Sequence, residues 1–128
     1  MKALLTNYHQ SPRKVRLVAD LIRGKTVPQA RVALSFLMQK SSGAFSKLLE
    51  SAVANSRNSG MAPEALVVKH VSVDKGAVAR RTRPFGRGRS GTLRKTYSIV
   101  KIELAPYSAK ATKGKAVRKP AKKLEARS

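Results

Sequence analysis

The apolar positions of this chain follow a helical period first and a strand period later. Leu4 and Leu5 lie in a short extended-looking stretch, residues 2–8, that predicts a first strand. Ser11-Pro12 then marks a helix start, with serine as N-cap and proline at the first helical position, where its missing N–H is no loss. Val15, Val18, Ala19 and Ile22 recur at i, i+3, i+4 and i+7, which predicts one buried face with Leu17 and Leu21 beside it. Gly24 suits the left-handed residue that closes such a helix. Thr26-Val27-Pro28 opens a second helix, with Ala30, Ala33, Leu34, Leu37 and Met38 as its stripe. A third begins at Ser41 or Ser42, turns Phe45, Leu48, Leu49, Ala52 and Val53 inward, and stops near Gly60. The connections are short, so the three helices are expected to be neighbours.

After the loop Met61-Ala62-Pro63-Glu64 the period changes to two. Residues 66–73 are rich in β-branched side chains. Further on, Val100, Ile102 and Leu104 share one face while Lys101 and Glu103 point the other way, the pattern of a sheet with one wet side. The expected fold is α+β: three helices packed on a small antiparallel sheet of about three strands. Between the two β segments the chain reads as two arms, residues 71–81 and 92–104, joined by the glycine-studded turn Arg83-Pro84-Phe85-Gly86-Arg87-Gly88-Arg89-Ser90-Gly91. Extended chain advances about 3.3 Å per residue, so a long protruding hairpin over about residues 75–102 would reach roughly 30 Å or more.

Charge makes that hairpin the most informative segment. The chain has 128 residues, 28 Lys or Arg against six Asp or Glu, and a formal net charge of +22. No acid lies between Asp74 and Glu103, yet Lys75, Arg80, Arg81, Arg83, Arg87, Arg89, Arg94, Lys95 and Lys101 do. A two-stranded ribbon is marginal in water by itself, and like charges on both arms make it worse, so a polyanion must surround it. Arginine in place of lysine favours bidentate phosphate contacts and stacking on bases, which points to RNA. Arg13, Lys14, Arg16, Arg23 and Lys25 around the first helix extend the same footprint. From Pro106 onward eight Lys or Arg accompany one acid with few large apolar residues, the composition of a flexible, disordered tail. The expected organisation is one RNA-binding domain over residues 1–105, hairpin included, and a basic tail over 106–128.

Other chemistries find little support. Gly86-Arg87-Gly88-Arg89-Ser90-Gly91 matches the dinucleotide-binding glycine pattern by letter, but that motif needs an apolar strand before it and a helix after it. His9 and His70 have no metal-ligand spacing. His70, Ser72 and Asp74 are close in sequence, but a catalytic triad is defined by geometry and roles that alternation on a strand does not supply. No enzyme activity, cofactor or metal is expected. The chain has no cysteine, which fits a reducing compartment. It has no apolar run long enough to span a bilayer, and no secretory signal is expected at Met1-Lys2-Ala3-Leu4-Leu5-Thr6-Asn7. A cytoplasmic protein follows as the expectation.

The segment Ser11-Pro12-Arg13-Lys14-Val15-Arg16-Leu17-Val18-Ala19-Asp20-Leu21-Ile22-Arg23-Gly24-Lys25 resembles the first helix of the bacterial-type ribosomal protein L22 (uL22) family. Leu49-Glu50-Ser51-Ala52-Val53-Ala54-Asn55-Ser56 is similar to that family's third helix, and Val71-Ser72-Val73-Asp74-Lys75-Gly76 to the start of its hairpin. The resemblance implies a structural constituent of the large ribosomal subunit that binds 23S rRNA, stabilises its folding and lines the nascent-peptide exit tunnel with its hairpin tip. It implies other large-subunit ribosomal proteins and the nascent peptide as neighbours, a place on the cytoplasmic ribosome, and neither a membrane partner nor a homo-oligomer. On that reading the tunnel-facing tip comprises Ala79, Arg80, Arg81, Thr82, Arg83, Pro84, Phe85, Gly86, Arg87, Gly88, Arg89, Ser90 and Gly91. The family commonly has a basic residue where Phe85 stands, which leaves the contacts of this ring open. A free architectural nucleic-acid-binding protein is the alternative that the same charge allows.

Overall fold

The computed structural model describes residues 1–107; most of the basic tail expected over 106–128 lies outside the described residues. The order of elements is β1 (Lys2–Tyr8), α1 (Pro12–Ile22), α2 (Val27–Phe36), α3 (Ser42–Asn58), a single 3-10 turn (Pro63–Ala65), β2 (Leu66–Pro84) and β3 (Ser90–Pro106). The strands form one antiparallel sheet in the order β1-β3-β2. The α+β class and the three helices agree with the apolar periods.

Val15, Val18 and Ile22 of α1 and Leu49 of α3 are fully buried, together with Val68 and Val71 of β2 and Val100 and Ile102 of β3. These side chains meet because the helices cover one face of the sheet, while Lys101 stands on its wet face. Three details differ from the periodic reading. Leu17 is 63% exposed and Leu21 also faces outward. At 3.6 residues per turn, Leu21 sits about a quarter turn and Leu17 more than a third of a turn from the Val15–Val18–Ile22 line, and both are exposed. Helix α2 stops at Phe36, so Leu37 only flanks the core and Met38 is fully exposed. Finally, the ribbon arms are longer than 71–81 and 92–104, running through Pro84 and back from Ser90.

The ladder between β2 and β3 slips twice, at Lys69–His70 and again between Lys75 and Val78. Strict alternation would group Leu66 and Val68 with His70 and Ser72. The first bulge adds one residue, so Lys69 and His70 both face solvent and Val71 and Val73 return to the core. The second bulge lies where the ribbon leaves the helix-covered sheet. It includes Gly76, where a Cβ would come 3.3 Å from Ile99 Cγ1 and 3.4 Å from the Tyr97 carbonyl oxygen. From residue 80 to residue 90 every position is exposed.

Candidate nucleic-acid interface

Register settles where the ribbon's charges point. Arg80 pairs with Arg94 and Thr82 with Thr92, while Ala79 pairs with Lys95, Arg81 with Leu93 and Arg83 with Gly91. Directly paired residues share a face and successive pairs alternate between faces. One face therefore carries Arg80 opposite Arg94, and the other carries Arg81, Arg83 and Lys95. Like charges directly across a ladder are destabilising. Among the described residues no ion pair relieves any of these five cations; of the two acids that flank the ribbon, Asp74 pairs with Lys101 at 3.8 Å and Glu103 with Lys2 at 3.1 Å. Both faces of the ribbon are cationic.

The turn is tighter than the nine-residue segment 83–91. Strand pairing persists to Pro84 and Ser90, leaving Phe85, Gly86, Arg87, Gly88 and Arg89 as the loop. The Phe85 N–H donates to the Arg89 carbonyl at 2.8 Å and the Arg89 N–H to the Gly86 carbonyl at 3.4 Å. Arg87 (φ 58°) and Gly88 (φ 70°) both have positive φ at the apex, the signature of a turn whose twist matches a right-handed ribbon. Arg87, a side chain seldom found in that conformation, is thereby presented at the far end. The Phe85 residue is 57% exposed and turns its ring edge to Gly91, into the space where a Cβ would stand.

The cations near α1 fall into two groups. Arg16 Nε donates to the Val73 carbonyl at 3.2 Å, and Arg23 donates to the Val71 carbonyl at 3.1 Å while also pairing with Asp20 at 3.1 Å. Both therefore anchor α1 to the outer edge of β2 while keeping further N–H groups exposed. Lys25 sits in the segment that bonds to Val68, whereas Arg13 and Lys14 are exposed in the first turn of α1. Lys14 shares a cleft of about 510 Å³ with Arg94, Lys95, His9 and Tyr97, between the β1–α1 turn and the root of the ribbon. From sequence, His9 is weighed only against metal binding and set aside for want of ligand spacing, and Lys75, Arg94 and Lys95 are expected to bind RNA as part of the ribbon. The signal left unused is an aromatic residue interleaved with cations on both sides of the fold.

Among the described residues two groups titrate away from their ordinary values. The Glu103 carboxyl is held below the usual carboxylate range chiefly by its hydrogen bond to Lys2, 3.1 Å away. Burial pushes the Tyr8 phenol up. Neither lies on the ribbon. Among the described residues no group of three or more His, Cys, Asp or Glu side chains could hold a metal ion, and no helix is long and apolar enough to cross a membrane.

Fold and surface together define a small basic α+β protein that presents a two-faced cationic β-ribbon. Residues 3–105 match the model of the family described as ribosomal protein L22p/L17e, and the chain belongs to that family. It is 45% identical over 104 residues to the large ribosomal subunit protein uL22 of Pelobacter propionicus, covering 80% of this chain and 94% of the relative. The uL22 of Neorickettsia sennetsu is 47% identical over 105 residues, 81% of this chain and 93% of the relative. That of Metamycoplasma arthritidis is 41% identical over 122 residues, 91% of this chain and 58% of the relative. Family membership makes the protein a structural, non-enzymatic constituent of the large ribosomal subunit.

Proposed function

We propose that the protein binds 23S rRNA through residues 1–105, stabilises its folding, and threads the β2–β3 ribbon between RNA segments so that the tip lines the nascent-peptide exit tunnel. The observation that carries this reading is the charge on both faces of the ribbon, with Arg80 directly opposite Arg94 on one and Arg81, Arg83 and Lys95 on the other. A ribbon lying on a surface needs cations on one side only. Cations on both sides need polyanion on both sides, as in a passage between RNA helices. Contacts there are to phosphates and shape, because the deep groove of A-form RNA is closed to side chains. The tunnel position of the tip, the neighbouring nascent peptide and the other large-subunit proteins follow from the family. So do a place on the cytoplasmic ribosome and a single copy acting without a membrane. The segment beyond residue 106 serves as a basic arm for the same polyanion.

Replacing Arg80, Arg81 and Arg83 together with Glu tests the reading. All three are exposed, so the helix-covered sheet should fold with an unchanged circular dichroism spectrum. Incorporation into large subunits in cells should fall sharply, and affinity for 23S rRNA fragments should drop at least tenfold, since three phosphate contacts become three repulsions. Normal incorporation of the triple variant would defeat the ribbon assignment. Equal affinity of the unaltered chain for duplex DNA and for 23S fragments would favour a free architectural protein instead.

A further inference from the structure

His9 lies flat on Tyr97, with ring centroids 4.4 Å apart and planes 20° from parallel. Tyr97 is half-buried and His9 is exposed, so the stack has a covered end and an open one. The backbone makes this arrangement deliberate. Asn7 takes a positive φ of 54°, the β1–β3 register breaks between Leu5 and Tyr8, and the Ser98 hydroxyl donates to the Gln10 carbonyl. Together these fix the β1–α1 turn against β3 beside the rings. The stack stands in the wall of the 510 Å³ cleft, which Lys14, Arg94 and Lys95 also line, Arg94 and Lys95 from opposite faces of β3, with no acid among the lining residues. That volume lies within the roughly 300–1,000 Å³ of ordinary small-ligand sites. The Gln10 side-chain oxygen, in the same wall, is the one buried side-chain polar atom without a hydrogen-bond partner among the described residues.

Three cations around one concavity repel each other unless an anion sits among them. A bare phosphate would answer the cations and leave the ring idle. A paired nucleotide offers phosphate but keeps its faces inside the helix. Only a nucleotide out of the stack supplies both a planar face and a phosphate, and such bases are held by stacking on aromatic side chains. We propose that this cleft receives one unstacked nucleotide of RNA, its base lying on the open face of His9 and its phosphate held by Lys14 and by Lys95, which shares the Tyr97 face of β3. The inference rests on the RNA-binding reading above and names the position at which that binding includes a base.

Two RNA hairpins, one with a single bulged adenosine and one abasic at the same position, test it against the full chain at fixed salt. The unaltered protein should prefer the bulged base about tenfold, within the range known for one stacked base. His9→Ala, an exposed change, should erase the preference while leaving the salt dependence of binding unchanged. In parallel, adenosine 5′-monophosphate should move the His9 ring-proton resonances upfield, whereas ribose 5-phosphate and inorganic phosphate should shift only the backbone amides near Lys14 and Lys95. Equal binding of the two hairpins, or a preference that survives His9→Ala, would overturn the cleft assignment. If at the same time Arg80→Glu with Arg81→Glu and Arg83→Glu still weakened both hairpins, the RNA-binding reading would stand and only the cleft would fall. If that triple variant bound both as tightly as the unaltered chain, the broader reading would fall too.

Discussion

At the end of the ribbon the ring of Phe85 occupies the space that a side chain on Gly91 would need. The ring edge against glycine shields strand backbone that would otherwise face water, and the contact holds Arg83 opposite Gly91 through the last pairs of the ladder. Gly91→Ala should therefore swing the ring away at a local cost of about 1 kcal/mol, the central size for a point substitution. The Gly91 α-proton resonances should sit downfield in the unaltered chain, because they face the edge of the ring. In Gly91→Ala the amides around residues 83–91 should exchange faster. Unchanged Phe85 shifts in the variant would show that the ring has no such seat. The sequence shows that Phe85 has no core to join. It does not show the seat, because only the register of the ladder places residue 91 beneath residue 85. The same holds for Arg16 and Arg23. Their charge is legible from composition, but their bonds to the Val73 and Val71 carbonyls depend on how α1 lies along β2.

Strand β2 is one of the two edges of the sheet, and an unpaired edge invites wrong partners. Here it is covered from end to end of its core half. Gly24 donates to the Val68 carbonyl, Val68 donates to the Lys25 carbonyl, and Arg23 and Arg16 take the Val71 and Val73 carbonyls in turn. The Lys69–His70 bulge explains the step from Val68 to Val71 in that series. It is also why alternation across residues 66–73 could identify a strand without giving its inward face. Arg23→Met keeps the aliphatic stem and removes the donor and the ion pair with Asp20. Because the side chain is half exposed, water replaces part of the loss, and the expected destabilisation is about 1 kcal/mol in urea unfolding. A residue used only for RNA would leave the midpoint where it was. Unchanged stability with weakened RNA binding would therefore move Arg23 wholly to the interface. Helix starts are legible because Ser11-Pro12 and Thr26-Val27-Pro28 act locally, whereas the end of α2 at Phe36 goes with tertiary packing that takes Leu37 to the core and leaves Met38 in solvent.

For the molecule as a whole, the same charge acts with opposite signs in the free and the bound state. A formal net charge of +22 on 128 residues works against the compact free chain through self-repulsion. The screening length falls from about 30 Å at 0.01 M salt to about 8 Å at 0.15 M, which is shorter than the ribbon. Arg80 and Arg94, paired across it, repel less as the length shortens. In the complex, phosphates supply the neutralisation, and added salt competes with them. Neutralising about 6–10 phosphates implies an affinity loss on the order of 10³–10⁵ between roughly 50 and 200 mM salt. Salt should accordingly raise the Tm of the free protein while it weakens the RNA complex. The three-arginine charge reversal should lessen both responses, because it converts ribbon repulsions into attractions and removes phosphate contacts. Calorimetry of the free chain and equilibrium binding to a 23S fragment over one salt series measure the two trends together. A Tm that falls with salt would mean that the ribbon's cations are matched inside the protein, and the reason for placing RNA on both of its faces would be gone.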